Sequence, residues 1–210
     1  MSAEHSVEIE RKYDVDDGAG VPDLRALPGV MGVDVAEVRP LDARYFDSPD
    51  HALAAERTVI RRRTGGPDEG WHVKRATPEG KAESRWPLES PAAVSTDVPS
   101  VPAEVQAAVA EISAGPFAPI ARIRNTRTAY VLRGTDGRVI AEFVDDHVVA
   151  TDLRRGTDTA WREWELELGP GAPQSQHDRD AFFAAADTLF AAAGGSPSAS
   201  ESKLGRALGG

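Results

Sequence analysis

The chain has 210 residues, enough for one sizeable core with an appended element and too few for a multidomain machine. Its 24 Lys and Arg against 34 Asp and Glu give a net charge of −10, the wrong sign for a general binder of nucleic acid or anionic membrane. With no cysteine there are no disulfides, thiol nucleophiles or thiolate metal sites, so packing alone must hold the fold, and a hydrophobic content of 40% can supply the core.

The N-terminus is polar and acidic from Ala3 to Glu10 and shows no signal-peptide pattern. The most apolar window, 181–193, is interrupted by Asp187 and Thr188 and falls short of the ~20 apolar residues of a spanning helix. A cytoplasmic location with no membrane partner is the expectation.

Residues 6–15 alternate strictly, with Val7, Ile9 and Tyr13 on one face and Glu8, Glu10 and Lys12 on the other, which is strand periodicity. Further strands are predicted over 35–47, 57–64, 70–75 and 81–88, divided by Gly, Pro and Asp turns such as Gly65-Gly66-Pro67. Ser48-Pro49 reads as the start of one or two helical turns over 50–56. The Pro/Ser/Ala-rich stretch 89–100 leads into a predicted helix over 101–114, closed by Gly115-Pro116. Four more strands follow at 119–125, 127–133, 138–150 and 160–168. An amphipathic helix over 178–193 presents Phe182, Phe183, Leu189 and Phe190, and the tail from Ser196 is polar apart from a small cluster at 202–206. No internal repeat is present, so 1–210 is read as one domain, with 196–210 a tail positioned to close one end of it.

Charge segregates by sign on these strands. Glu8-x-Glu10 and Glu163-x-Glu165-x-Glu167 carry carboxylates two residues apart, while Arg61-x-Arg63 and Arg122-x-Arg124 carry guanidiniums. Like charges at that spacing repel unless opposite charge lies between them. All four faces can line one lumen if about eight strands close into a barrel. Unpaired buried charge costs several kcal/mol per group, so the lumen needs counter-ions, and an oligophosphate with a divalent metal meets both signs. Only four lysines occur, Lys12, Lys74, Lys81 and Lys203; three lie in strands of this wall and the fourth in the C-terminal cluster. The sequence holds no Walker or dinucleotide-binding glycine motif, and its five histidines, His72 among them, show no zinc spacing and read as ordinary. The four tryptophans read as core beneath external helices.

In order along the chain stand Glu8-Ile-Glu10-Arg-Lys12, Tyr45-Phe-Asp47, Ile60-Arg61-Arg-Arg63, Trp71-His-Val-Lys74, Lys81-Ala-Glu83-Ser-Arg85, Arg122-Ile-Arg124 with Arg127, Asp145-Asp146, Trp161-Arg-Glu163-Trp-Glu165-Leu-Glu167 and Ser202-Lys203. This series resembles the CYTH superfamily of triphosphate tunnel metalloenzymes, which includes class IV adenylate cyclases, thiamine triphosphatases and inorganic triphosphatases, over almost the whole chain. The resemblance implies an α+β fold, a closed eight-stranded antiparallel β-barrel with a few helices outside. It implies Mg²⁺ or Mn²⁺ held by Glu8, Glu10, Asp146, Glu163 and Glu165. It assigns the phosphates to Lys12, Arg61, Arg63, Lys74, Arg122, Arg124 and Lys203. Arg85 breaks the expected Arg-x-Glu-x-Glu, leaving Glu83 and Arg85 unassigned; Glu142 shares the face of Asp146, and Glu167 belongs near the rim.

Metal-dependent hydrolysis of a triphosphate, inorganic triphosphate first, is the expected activity, with Lys74 flanked by cations as general base and Tyr45 relaying a proton to it. A nucleotide cyclase, a thiamine triphosphatase and a non-catalytic oligophosphate-binding module are the alternatives. The expected partner is the small-molecule triphosphate, not nucleic acid, and a homodimer is expected if an outer apolar strand face stays uncovered.

Overall fold

In the computed structural model, which describes residues 3–78, 80–88 and 99–209, alternating sequence becomes antiparallel sheet almost throughout. The strands are β1 (Glu4–Glu8), β2 (Glu10–Val15), β3 (Gly32–Val33), β4 (Glu37–Asp47), β5 (Thr58–Thr64), β6 (Gly70–Thr77), β7 (Gly80–Trp86), β8 (Ala118–Arg133), β9 (Val139–Asp152), β10 (Thr157–Leu168) and β11 (Gly195–Pro197). The helices are α1 (Ala52–Ala55), α2 (Ala103–Ala107), α3 (Gln176–Ala192) and α4 (Lys203–Ala207), with a 3₁₀ turn at Leu24–Ala26.

The hydrogen-bonded order is β1-β7-β6-β5-β4-β8-β9-β10-β2-β11, with β3 on β8. This corrects the expected closed barrel of eight strands: the sheet has eleven strands among the described residues, and its ladder is open. The reason lies at Ile9. The first segment runs along β7 as far as Glu8, opposite Lys81, then changes partner and runs along β10 from Glu10, opposite Glu167. The ladder therefore ends at β1 on one side, while the chain itself carries across to β2 near the other.

Two other expectations change. The strands predicted at 119–125 and 127–133 are one 16-residue strand, β8, and the helix predicted over 101–114 is the short α2 followed by turns. The segment 89–98 lies outside the described residues.

Alternation divides each strand between two surfaces. On the outer surface Tyr13, Phe143, Trp164 and Leu166 pack beneath α3 through Phe182, Phe183 and Phe190. Ser175 caps α3 by accepting from the Asp178 N–H at 3.0 Å, starting the helix two residues before the sequence suggests. A second outer cluster sets Phe46, Ile60, Trp71, Val73 and Trp86 against Leu53 of α1 and Val105 of α2. The third is on the inner surface, where Ala43, Tyr45, Ile123 and Val148 meet Leu204 and Ala207 of α4. No helix among the described residues is long and apolar enough to cross a membrane.

Phe190 joins α3 to the sheet, with its ring 4.8 Å from that of Tyr13, 5.2 Å from Phe143 and 5.8 Å from Trp164. Phe190→Ala should lower the unfolding free energy by about 3–5 kcal/mol in chemical denaturation, and a loss under 1 kcal/mol would show that α3 does not anchor the sheet.

Candidate active site

The inner surface holds the charge. On β10, Trp164 and Leu166 face outward to α3, so Glu163, Glu165 and Glu167 face inward; on β9 the same logic turns Phe143 and Asp145 out and Glu142 and Asp146 in. Oxygens of Asp146, Glu163 and Glu165 lie within 4.8 Å of one another, all three residues buried. Asp146, with no exposed surface, accepts from Arg127 Nε at 2.9 Å and Nη2 at 2.7 Å and from Asn125 Nδ2 at 2.9 Å. The Arg127 Nη2 also reaches Glu165 Oε2 at 2.8 Å, tying β8 to β10 across β9. From α4, the Lys203 ammonium lies 2.6 Å from Glu163, 2.8 Å from Glu165 and 2.8 Å from Asp146.

Glu10 and Lys12 face the same interior from β2, with Lys12 against Glu165 and 3.3 Å from Glu10, which also accepts from Lys81 at 2.6 Å. The Glu8 carboxylate on β1 receives Lys74 at 2.5 and 2.7 Å. Opposite these, β4, β5 and β6 present Arg39, Arg61, Arg63 and Lys74. Arg39 reaches Glu142 at 3.1 Å, and Arg63 pairs with Asp68 of the β5–β6 loop. Two cavities, of about 570 and 380 Å³, share Glu8, Asp68, Arg127 and Glu167 in their linings and so meet end to end.

Mutual pairing sets the protonation states. Burial raises the Asp146 carboxyl, but Lys203 and Arg127 overcome it and hold the group well below the usual carboxylate range. Lys12 and Lys81 do the same for Glu10, again against burial, and Lys203 and Lys12 for Glu163. Burial pushes the Lys12 ammonium down to about 8 despite Glu10. Glu167 moves the other way: burial, then the like charges of Glu8 and Glu10, push it up to about 7.

The structure thus brings Glu8, Glu10, Asp146, Glu163, Glu165, Lys12, Arg61, Arg63, Lys74 and Lys203 to one interior, with Tyr45 beside the smaller cavity. It does not bring Arg122 and Arg124 there. Asn125 and Arg127 face inward, so positions 122 and 124 of the same strand face outward: Arg122 grips Asp42 at 3.0 Å, and Arg124 lines an outer groove with Thr126 and His147. Both are corrected from the tunnel wall to the outer face. Lys74 itself pairs with Glu8 and lies 3.2 Å from Glu83, a carboxylate it shares with Arg61 at 3.6 Å. Arg39, Arg127, Glu83 and His72 are inward residues that the motifs left without a role; the inward phase of Arg127 becomes legible once β8 is one strand.

The donor set around Asp146 is entirely carboxylate oxygen, with neither thiolate nor imidazole, and so suits a hard divalent cation. Residues 6–203 match the model of the CYTH domain. The chain belongs to the CYTH family. Two relatives named only as uncharacterized proteins, from Mycobacterium tuberculosis strains CDC 1551 / Oshkosh and ATCC 25618 / H37Rv, are each 36% identical over 215 residues covering 97% of the chain. The chain spans only 40% of the length of these relatives. Among solved structures, a candidate adenylate cyclase of Bacillus halodurans superposes with a TM-score of 0.63 at 19% identity, covering 96% of this chain and 97% of its own. A candidate adenylyl cyclase of Hippeastrum with a dominant triphosphatase activity superposes with a TM-score of 0.55 at 18% identity, covering 96% and 95%. At these identities the likeness is one of fold, and it makes the curled CYTH sheet the common feature.

Arg127 is shared, together with Lys203, by Asp146 and Glu165. Arg127→Met should destabilise the metal-free protein by about 3–5 kcal/mol, because it leaves buried carboxylates uncompensated. Denaturation in EDTA checks this, with Mn²⁺ expected to restore part of the loss and an unchanged midpoint counting against it.

Proposed function

We propose that this CYTH domain hydrolyses a triphosphate, inorganic triphosphate first, with the help of Mg²⁺ or Mn²⁺. One observation carries the reading. Arg39, Arg61 and Arg63 line the cavities, and the Nε of each is buried with no acceptor among the described residues. A buried N–H without an acceptor costs about 1–3 kcal/mol, and phosphate oxygens, which only accept, would satisfy all three.

Phosphoryl transfer asks for positioning and charge neutralisation more than for a covalent nucleophile. Arg39, Arg61, Arg63 and Lys74 would fix the phosphate chain from one side, with Lys12 and Lys203 reaching it from the acidic side. Asp146, Glu163 and Glu165, joined by Glu10 and Glu8, would hold the divalent cation, which when bound would polarise phosphate oxygens facing it. Lys74, ion-paired with two carboxylates, would serve as a hydrogen-bond donor to phosphate in preference to a base, and Tyr45 would offer a hydroxyl beside the same cavity. Tyr45 is the one aromatic residue lining either cavity among the described residues, which leaves a nucleobase or thiazole ring little to stack upon and favours the inorganic substrate.

The deciding experiment incubates the purified chain with Mg²⁺ or Mn²⁺ and, in turn, tripolyphosphate, ATP and thiamine triphosphate, with products resolved chromatographically. Orthophosphate released fastest from tripolyphosphate is the expected outcome. Cyclic AMP from ATP would replace the proposal with a cyclase, and metal-dependent binding with no product would replace it with a binding module. Arg61→Leu should raise KM for tripolyphosphate tenfold or more, a loss of about 1.4 kcal/mol.

A further inference from the structure

His72 is the inward-facing group that phosphate binding leaves without a task. Its neighbours on β6, Trp71 and Val73, pack into the outer cluster, which turns His72 and Lys74 inward. The ring has no exposed surface. Its Nδ1 lies 2.7 Å from Glu83 Oε1 on β7, and its Nε2 lies 3.0 Å from the carbonyl oxygen of Asp68 in the β5–β6 loop.

Each of those partners holds cations of the proposed phosphate wall. The same Glu83 Oε1 lies 3.2 Å from the Lys74 ammonium and 3.6 Å from the Arg61 guanidinium, and Arg61 stands directly opposite His72 in the sheet. The Asp68 side chain pairs with Arg63. The loop carrying Asp68 presses against β4: at Gly65, where φ is +81°, an added Cβ would lie 2.1 Å from the Pro40 carbonyl oxygen. Glycine therefore permits the approach. His72 is the side chain whose two ring nitrogens join this loop to β7. Burial, with Arg61, outweighs Glu83 and pushes the imidazolium down to about 3, so the ring is neutral and donates through one nitrogen at a time, to Glu83 or to the Asp68 carbonyl according to tautomer.

We propose that His72 is a positioning residue: seated between Glu83 and the Asp68 carbonyl with one ring nitrogen against each, it sets the spacing of Lys74, Arg61 and Arg63 for an oligophosphate. The inference rests on the phosphate-binding reading for its purpose and on geometry alone for the clasp.

Two measurements separate these. Hydrogen exchange over residues 65–70, read by mass spectrometry without ligand, tests the clasp. His72→Phe, which keeps the bulk and loses both ring nitrogens, should speed exchange there at least tenfold, and His72→Gln, which keeps an amide donor, should restore part of the protection. Unchanged exchange would overturn the clasp whatever the chain binds. Calorimetry with tripolyphosphate in EDTA tests the consequence: His72→Phe should bind at least tenfold more weakly, while Mn²⁺ affinity, which reports Asp146, Glu163 and Glu165, should stay within twofold of wild type. Loss of both affinities together would mark His72 as merely structural, and tripolyphosphate affinity within twofold of wild type would overturn its positioning role. A wild-type chain that fails to bind tripolyphosphate while His72→Phe still loosens the loop would strike the functional reading and leave the clasp standing. In turnover assays a positioning role raises KM for tripolyphosphate more than it lowers kcat, with His72→Gln intermediate; equal losses in both variants would contradict it.

Discussion

Charge removed from water is the constraint on which the rest of this molecule depends. A carboxylate with no exposed surface, such as Asp146, is tolerated only because Arg127, Asn125 and Lys203 close on it, and breaking one such contact leaves a cost of several kcal/mol. The same holds for Glu10 between Lys12 and Lys81 and for Glu8 beneath Lys74. Because every partner but Lys12, which shares β2 with Glu10, comes from a different strand or from α4, these pairs fix how the strands face one another as much as they stabilise the sheet. The apolar clusters beneath α3 and beneath α1 and α2 supply the burial that such an interior cannot.

The strand that changes partners makes this interior possible. At Ile9 the chain leaves β7 and joins β10, so Glu8 and Glu10 fall on opposite sides of the gap between the two ends of the ladder. A closed sheet would pair every residue of that strand on both sides. An open one linked by a single segment places two carboxylates where a cation on the acidic wall and a phosphate on the basic wall would meet. The C-terminal helix α4 enters from the smaller cavity's side, with Leu204 and Ala207 against Ala43 and Tyr45 and Lys203 among the carboxylates.

Much of this is legible in alternating sequence. The segregation of Glu8, Glu10 and Lys12 from Tyr13 follows from period two alone, and so does the division of β10 into Trp164 and Leu166 outward and Glu163 and Glu165 inward. What alternation does not supply is phase across an assumed break. Reading β8 as two strands separated at Thr126 frees each half to choose its own inward face, and Arg122-x-Arg124 then looks like a phosphate wall. As one strand it has a single phase, fixed by Asn125 and Arg127 against Asp146, and Arg122 and Arg124 must lie outside. His72 is illegible for another reason. A lone histidine two positions before a lysine carries no spacing signal, and its meaning comes from a loop carbonyl and a carboxylate eleven residues on that only the folded β5–β6–β7 sheet brings together.

The net charge of −10 takes on a different sense in this setting. It argues against broad polyanion binding at the surface, yet it does not describe the interior, where eight carboxylates of the cavity linings, joined by Asp146 and Glu163, face eleven lysines and arginines. A wall so balanced holds an anion carrying several negative charges more weakly alone than together with a cation, because every lysine and arginine released to a phosphate leaves a carboxylate uncompensated. Lys203 shows the exchange most plainly: moving its ammonium to a phosphate would strip three carboxylates of a shared partner at once. The incoming anion is therefore held best when it arrives with a cation to replace the charge it draws away. That preference, more than the presence of acidic residues as such, is why phosphate and divalent cation belong together in this site.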